Sequence, residues 1–148
     1  LGYRANWNPI ACAPCGAQEM TAAPGGVILG RFGWADPNNG QVSNLYTPGA
    51  RLGWVCPTRG TWGRVYWNGF AWVLRQGLGC VLALIGDFHA RFCNGSTVGQ
   101  AVYADSITGQ PYSGNVTGSA ILTPWTVVTQ AYAGDWAIIS TMTPPLTT

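Results

Sequence analysis

The chain has 148 residues, of which 47% are hydrophobic and only 8% charged, with a formal net charge of +2. That length suits one domain able to bury roughly 70% of the surface its unfolded form exposes, whereas ordinary soluble domains carry roughly 25% charged residues. A basic excess this small and scattered excludes the clustered footprint of a nucleic-acid-binding domain, and no stretch approaches the roughly 20 apolar residues of a membrane span.

In chain order, residues 1–26 come first, rich in Ala, Pro and Gly and without alternation; at most one or two helical turns fit over 17–23. Tyr3, Trp7, Ile10 and Met20 are too many large apolar side chains for a solvated tail. The segment is therefore expected to be an extended arm that packs on its own domain or on a neighbour. Its first nine residues lack the apolar run of a secretory signal.

From there Gly and Pro recur so often that the longest intervals free of both, such as 100–108 and 125–133, fall short of a mean helix of about 11–12 residues. The intervals are rich in Val, Ile, Thr and aromatics, so strands are expected over 27–35, 51–56, 64–67, 70–74, 79–85, 88–93, 101–104, 119–122, 126–131 and 136–141. Asn68-Gly69 between two β-prone runs predicts a hairpin with a type I′ turn, in which both central residues need positive φ. In 88–92 the apolar residues alternate with His89 and Arg91, the mark of a strand with one buried face. The run 81–85 does not alternate and is expected to be central and covered on both sides. The fold class that follows is all-β: an antiparallel β-sandwich or small β-barrel over 27–142, with the arm before it and an extended tail over 143–148.

Acid-base chemistry has little to draw on: Glu19, Asp36, Asp87, Asp105, Asp135 and one histidine, His89. Asp87 and His89 share a strand face, but no Gly-x-Ser-x-Gly elbow accompanies them, so a surface pair or a satisfied histidine is expected and no enzyme. Asp36-Pro37-Asn38-Asn39-Gly40 lacks the later ligands of a calcium loop and is expected to be a turn. Cys12-Ala13-Pro14-Cys15 would need two further ligands to hold structural zinc, which His89 and Cys93 could supply only by coincidence of folding. Gly25 to Gly30 has no following Lys-Ser/Thr and is no phosphate loop. No cofactor and no metal are expected. Five cysteines argue against a complete disulfide framework, and Cys56, Cys80 and Cys93 are expected to be small buried hydrophobes.

The aromatic stock, with eight Trp and six Tyr, has to go somewhere on a chain this poor in charge. One arrangement covers part of the surface permanently with a partner, since interface cores are depleted in charge and enriched in aromatics and Arg. Another is a neutral surface of Ser, Thr, Asn and Gly. A third is a sugar-binding platform of aromatic faces among neutral polar loops. All seven basic residues are Arg, which suits carboxylate forks at interfaces, although GC-rich codon usage would give the same count.

Three stretches carry a resemblance: Gly26-Val27-Ile28-Leu29-Gly30-Arg31-Phe32-Gly33-Trp34-Ala35; Val98-Gly99-Gln100-Ala101-Val102-Tyr103-Ala104-Asp105 with Thr108-Gly109 after it; and Ala131-Tyr132-Ala133-Gly134-Asp135-Trp136-Ala137-Ile138-Ile139-Ser140. With these the chain resembles the small capsid cement, or decoration, proteins on the heads of tailed bacteriophages. The resemblance implies a role without catalysis. Copies, as dimers or trimers, would sit on the outside of the capsid in the virion, bridge neighbouring major capsid protein subunits and hold the lattice against packaged DNA without touching it. Assembly would take place in the host cytoplasm, with no membrane involved. Tyr3, Arg4 and Trp7 on the arm, then Arg31, Trp34, Arg59 and Trp62, are the residues expected to contact the partner. The other reading is a head-fibre or tail-associated module that binds a host surface or glycan.

Overall fold

The computed structural model describes residues 3–5, 10–12, 20–57, 64–114 and 118–142. Over these the chain forms fourteen strands and no helix: β1 (Ala11–Cys12), β2 (Thr21–Ala22), β3 (Val27–Ile28), β4 (Phe32–Ala35), β5 (Gln41–Ser43), β6 (Arg51–Val55), β7 (Val65–Trp67), β8 (Trp72–Leu74), β9 (Leu82–Ile85), β10 (Asp87–Arg91), β11 (Ala101–Asp105), β12 (Pro111–Ser113), β13 (Ala120–Val127) and β14 (Trp136–Ser140). The all-β expectation holds, with curled sheets in a sandwich-like arrangement.

Three sheets result: β1-β9-β6-β4-β5-β2, β10-β14-β13-β11-β12 and β3-β8-β7. The six-stranded sheet lies in the middle, because its side chains feed two cores in alternation. Phe32, Trp34, Trp54 and Ala83 turn to the five-stranded sheet and meet Phe88, Phe92, Val102, Trp125 and Ile139. Ala35, Val42, Val55 and Leu82 turn the other way and meet Val27 and Leu74 of the three-stranded sheet. A strand covered on both faces needs no polar alternation, so Phe-Gly-Trp-Ala in β4 is buried throughout. Gly33 and Gly53 face each other across β4 and β6. A Cβ on Gly53 would come within 2.5 Å of Leu82 Cγ and one on Gly33 within 2.7 Å of Val55 Cγ2, so this pair lets the second core close over the sheet.

The strand expected over 27–35 is two strands in different sheets. Asn44 holds the corner between them: its Oδ1 accepts from Ile28 N–H at 2.7 Å and its amide donates to the Phe32 carbonyl at 2.9 Å. Conversely, the strands expected over 119–122 and 126–131 are one, β13, which carries Pro124 within it. Ala101 and Tyr103 of β11 pair with Thr126 and Leu122, so β13 bulges between those partners, where a residue lacking an N–H is tolerated. β9 is covered on both faces only at its start; Ile85 emerges to solvent. The strands β5 and β12, three residues each, lie outside the expected set.

The Asn68-Gly69 hairpin exists, but its turn is not type I′. Among the described residues only glycines have positive φ, Gly69 at 99° among them, so Asn68 does not take the conformation that turn requires. The loop instead spans four residues between the Trp67 and Trp72 partners. Asn68 closes it by accepting at Oδ1 from the N–H groups of Phe70 (2.9 Å) and Ala71 (2.7 Å). The Asp36 to Gly40 segment is a turn, with Asp36 Oδ1 accepting from Asn38 N–H at 2.8 Å.

Described parts of the N-terminal segment lie along the edges of the two large sheets. β1 pairs antiparallel with β9, while around Arg4, bridged to Phe88, Ala5 N–H donates to the Asp87 carbonyl and His89 N–H to the Tyr3 carbonyl, both at 2.8 Å. Both contacts protect strand edges that would otherwise present open backbone groups.

Candidate partner-binding surfaces

Two aromatic surfaces stand out. The first is the β7–β8 hairpin. Val65 and Leu74 turn towards the second core, which leaves Tyr66 and Arg75 on the outer face, where the guanidinium sits 4.8 Å from the ring centroid. Trp67 lies edge-on to Trp72 at 5.4 Å and is 53% exposed. Phe70, inside the loop, is 89% exposed. An apolar ring held at the tip of a closed loop gains little from its own fold, and with Tyr66 and Trp67 beside it makes a candidate contact surface.

The second is a cleft of about 480 Å³ where β13 turns into β14, lined by Gln130, Ala131, Tyr132, Asp135 and Trp136. The loop that forms it is fastened to the segment after β10. Ser96 and Ala131 exchange N–H to carbonyl bonds of 2.8 and 3.1 Å, Gly134 N–H donates to the Phe92 carbonyl at 2.7 Å, and Arg91 Nε donates to the Gly134 carbonyl at 2.7 Å. Tyr132, 80% exposed, therefore projects from a braced loop.

Of the residues expected from sequence, Tyr3, Arg4, Arg31 and Trp34 are described. Tyr3 and Arg4 are exposed beside β10. Trp7, Arg59 and Trp62 lie outside the described residues. Trp34 is 2% exposed, so its indole belongs to the core, edge-on to Tyr46 at 5.8 Å. Arg31 is half-buried and its Nη1 donates to the Thr108 carbonyl at 3.4 Å. Burial draws its guanidinium below the ordinary value, offset in part by Cys93, Tyr112 and Asp105. Asp105 caps the same loop: burial pushes its carboxyl up, but N–H bonds from Thr108 and Ile107 and the charge of Arg31 hold it below the ordinary value. Arg31 is thus a brace between β4 and the 105–109 turn. Sequence reasoning did not single out Phe70, Tyr132 and Trp136; the first two carried a signal, as large aromatic residues within or beside turn chemistry, and Trp136 opens β14.

The scattered titratable groups stay scattered. Among the described residues, no three of His, Cys, Asp and Glu come close enough to hold a metal ion. Asp87, expected at the surface with His89, is buried, while His89 is half-buried. Cys80 is buried and Cys56 partly so, but Cys93 is exposed, contrary to expectation, because the strand ends at Arg91 and the chain turns outward. Burial pushes the Cys80 thiol up to about 12, with Cys56 adding to it, and the Cys56 thiol up to about 11, with Cys12 adding and Arg4 opposing.

The described residues form an all-β sandwich with exposed aromatic rings and few charges. The family comparison places it more narrowly: residues 10–141 match the family described as XM1 gp53 minor capsid protein, and the chain belongs to that family. It is thus a capsid-associated structural protein of a phage virion. No curated protein is similar enough to match it.

Proposed function

We propose that the chain is a cement protein, bound to the outside of the capsid and bridging subunits of the major capsid protein. The observation that supports this best is the β7–β8 hairpin, whose exposed Phe70, Trp67 and Tyr66 stand beside Arg75. Buried aromatic anchors with Arg beside them are the side chains that dominate association energies. On a lattice each copy adds to a continuous shell, so modest contacts accumulate through multivalency. In this reading Tyr3 and Arg4 add a second contact, with Trp7, Arg59 and Trp62 as further candidates. Arg31 and Trp34 support the fold that presents them.

The test uses capsids assembled without the protein. Added in excess, the chain is expected to co-sediment with intact heads, to remain accessible there to an exterior antibody, and to raise the temperature at which DNA-filled heads rupture. Absence of binding, or binding only to opened capsids, overturns the proposal.

A further inference from the structure

We infer that the cleft between β13 and β14 is a carbohydrate site that takes a neutral pyranose on the faces of Tyr132 and Trp136. The inference does not rest on the cement reading, because the cleft is built from different residues than the hairpin.

Three observations carry it. The first is the state of the rings. On the hairpin the aromatic faces are already engaged, Trp67 by Trp72 and Tyr66 by Arg75. Tyr132 and Trp136 pack against no other ring among the described residues, and they are 80% and 46% exposed. Both rings line the cleft and are available to the C–H face of a pyranose, a flat apolar surface suited to an electron-rich ring. The second is the polar set. Of five lining residues, Gln130 and Asp135 carry amide and carboxylate groups that bond to nothing among the described residues. Each can engage adjacent hydroxyls in a fork, the carboxylate by accepting from both and the amide by donating and accepting. Ala131 is the sole aliphatic residue of the lining, so the apolar part of the cleft is mainly aromatic.

The third observation is rigidity. The cleft, about 480 Å³, is broad and open to solvent, so order has to come from the loop that forms it. Four backbone bonds and the Arg91 Nε contact fasten both ends of the loop to the 91–96 segment: Ser96 with Ala131 twice, Phe92 with Asp135 and Gly134, and Arg91 with Gly134. Sugar contacts are individually weak, and a site whose loop is ordered beforehand loses less conformational entropy on binding. A single pyranose on two rings would bind with a Kd on the order of millimolar. Many copies on one particle would raise the avidity for a glycan-bearing surface by orders of magnitude.

The experiment is saturation-transfer NMR on the full chain with methyl glycosides of glucose, galactose, mannose and N-acetylglucosamine and a trisaccharide of each. Transfer to the ring C–H protons of at least one probe is expected. Tyr132→Ala, at an exposed loop position, should weaken binding about tenfold, and Asp135→Asn should shift preference among the probes. Phe70→Ala should leave sugar binding unchanged. No transfer from any probe overturns the inference, as does transfer that persists in both Tyr132→Ala and Trp136→Ala. If Tyr132→Ala abolishes capsid binding while the parent binds no sugar, the cleft is a protein contact and the inference fails with the cement reading intact.

Discussion

Trp54 and Trp125 lie wholly inside the sandwich, whereas Trp67 and Phe70 stand out on the β7–β8 hairpin. The difference lies in what surrounds each strand. Trp54 sits on β6, between β4 and β9 in a sheet covered on both faces, with Phe32 at 4.9 Å edge-on and Phe88 stacked at 6.1 Å. β7 is the outermost strand of a three-stranded sheet with one face on the second core. Rings of the same chemistry therefore serve stability in one place and stand free for the proposed contact in the other. Aromatic content alone measures neither, and substitution is the way to separate the two roles.

The largest effect is expected at Trp125. Its indole is 1% exposed, meets Phe32 edge-on at 5.4 Å, and donates from Nε1 to the Gly86 carbonyl at 3.1 Å, where the chain passes from one large sheet to the other. Trp125→Ala should cost about 3–5 kcal/mol, a large share of the roughly 5–15 kcal/mol of a typical domain. Urea unfolding followed by circular dichroism measures it. A loss under about 1 kcal/mol would mean that the two sheets do not share this core.

Alkaline pH gives the next test of inside against outside. The Cys80 and Cys56 thiols have ordinary values near 9.0 in the unfolded chain and about 12 and about 11 in the fold. Above pH 9 the unfolded state releases these protons while the folded state keeps them, so stability is full below that pH and falls as pH rises towards the folded values. Cys80→Ala should flatten this fall in a melting-temperature series. At pH 8 iodoacetamide should label Cys93, which is exposed, well before Cys56 or Cys80. Equal labelling rates would contradict the buried assignment.

How far the sequence reaches is visible in the same two regions. The absence of helices among the described residues followed from Gly and Pro spacing, and the alternation in β10 matched Phe88, Ala90 and Phe92 inside with Arg91 outside. What stayed hidden was tertiary. The break after Ile28 depends on Asn44, sixteen residues away, and the single strand through Pro124 depends on a bulge against β11. Trp34 and Trp67 each stand in a short β-prone run, so no local signal tells the buried one from the exposed one. Only the layer above each strand decides that. The candidate site suffered most, because it consists of what the fold leaves uncovered.

Two smaller effects sharpen the contrast. Gly69 has φ 99° and open space where a Cβ would stand, so Gly69→Val strains the backbone without any clash. It should cost between about 1 and 3 kcal/mol, local to the hairpin, and an unchanged melting temperature would sink the turn assignment. In the core the sign reverses. Thr126 is fully buried, and its hydroxyl has no hydrogen-bond partner among the described residues. Thr126→Val should therefore gain about 1 kcal/mol, a rise of roughly 2–4 °C in Tm. A lower Tm would show that the hydroxyl is satisfied in solution.

The smallest change in stability is expected at the most exposed ring. Phe70 is 89% exposed, and the loop around it is closed by Asn68 through bonds to the backbone N–H groups of Phe70 and Ala71, which survive loss of the side chain. Phe70→Ala should thus move stability by less than about 0.5 kcal/mol, as surface substitutions do. Capsid binding should respond in the opposite way, since truncating an aromatic anchor at the centre of an interface typically costs about 2 kcal/mol or more. Measuring Tm and capsid co-sedimentation on one preparation separates the roles: unchanged Tm with lost binding assigns the ring to recognition. A Tm drop comparable to that of Trp125→Ala would place Phe70 in the folding core, and unchanged binding would move the anchor away from the hairpin, leaving Tyr3 and Arg4 beside β10 as the next contacts to remove.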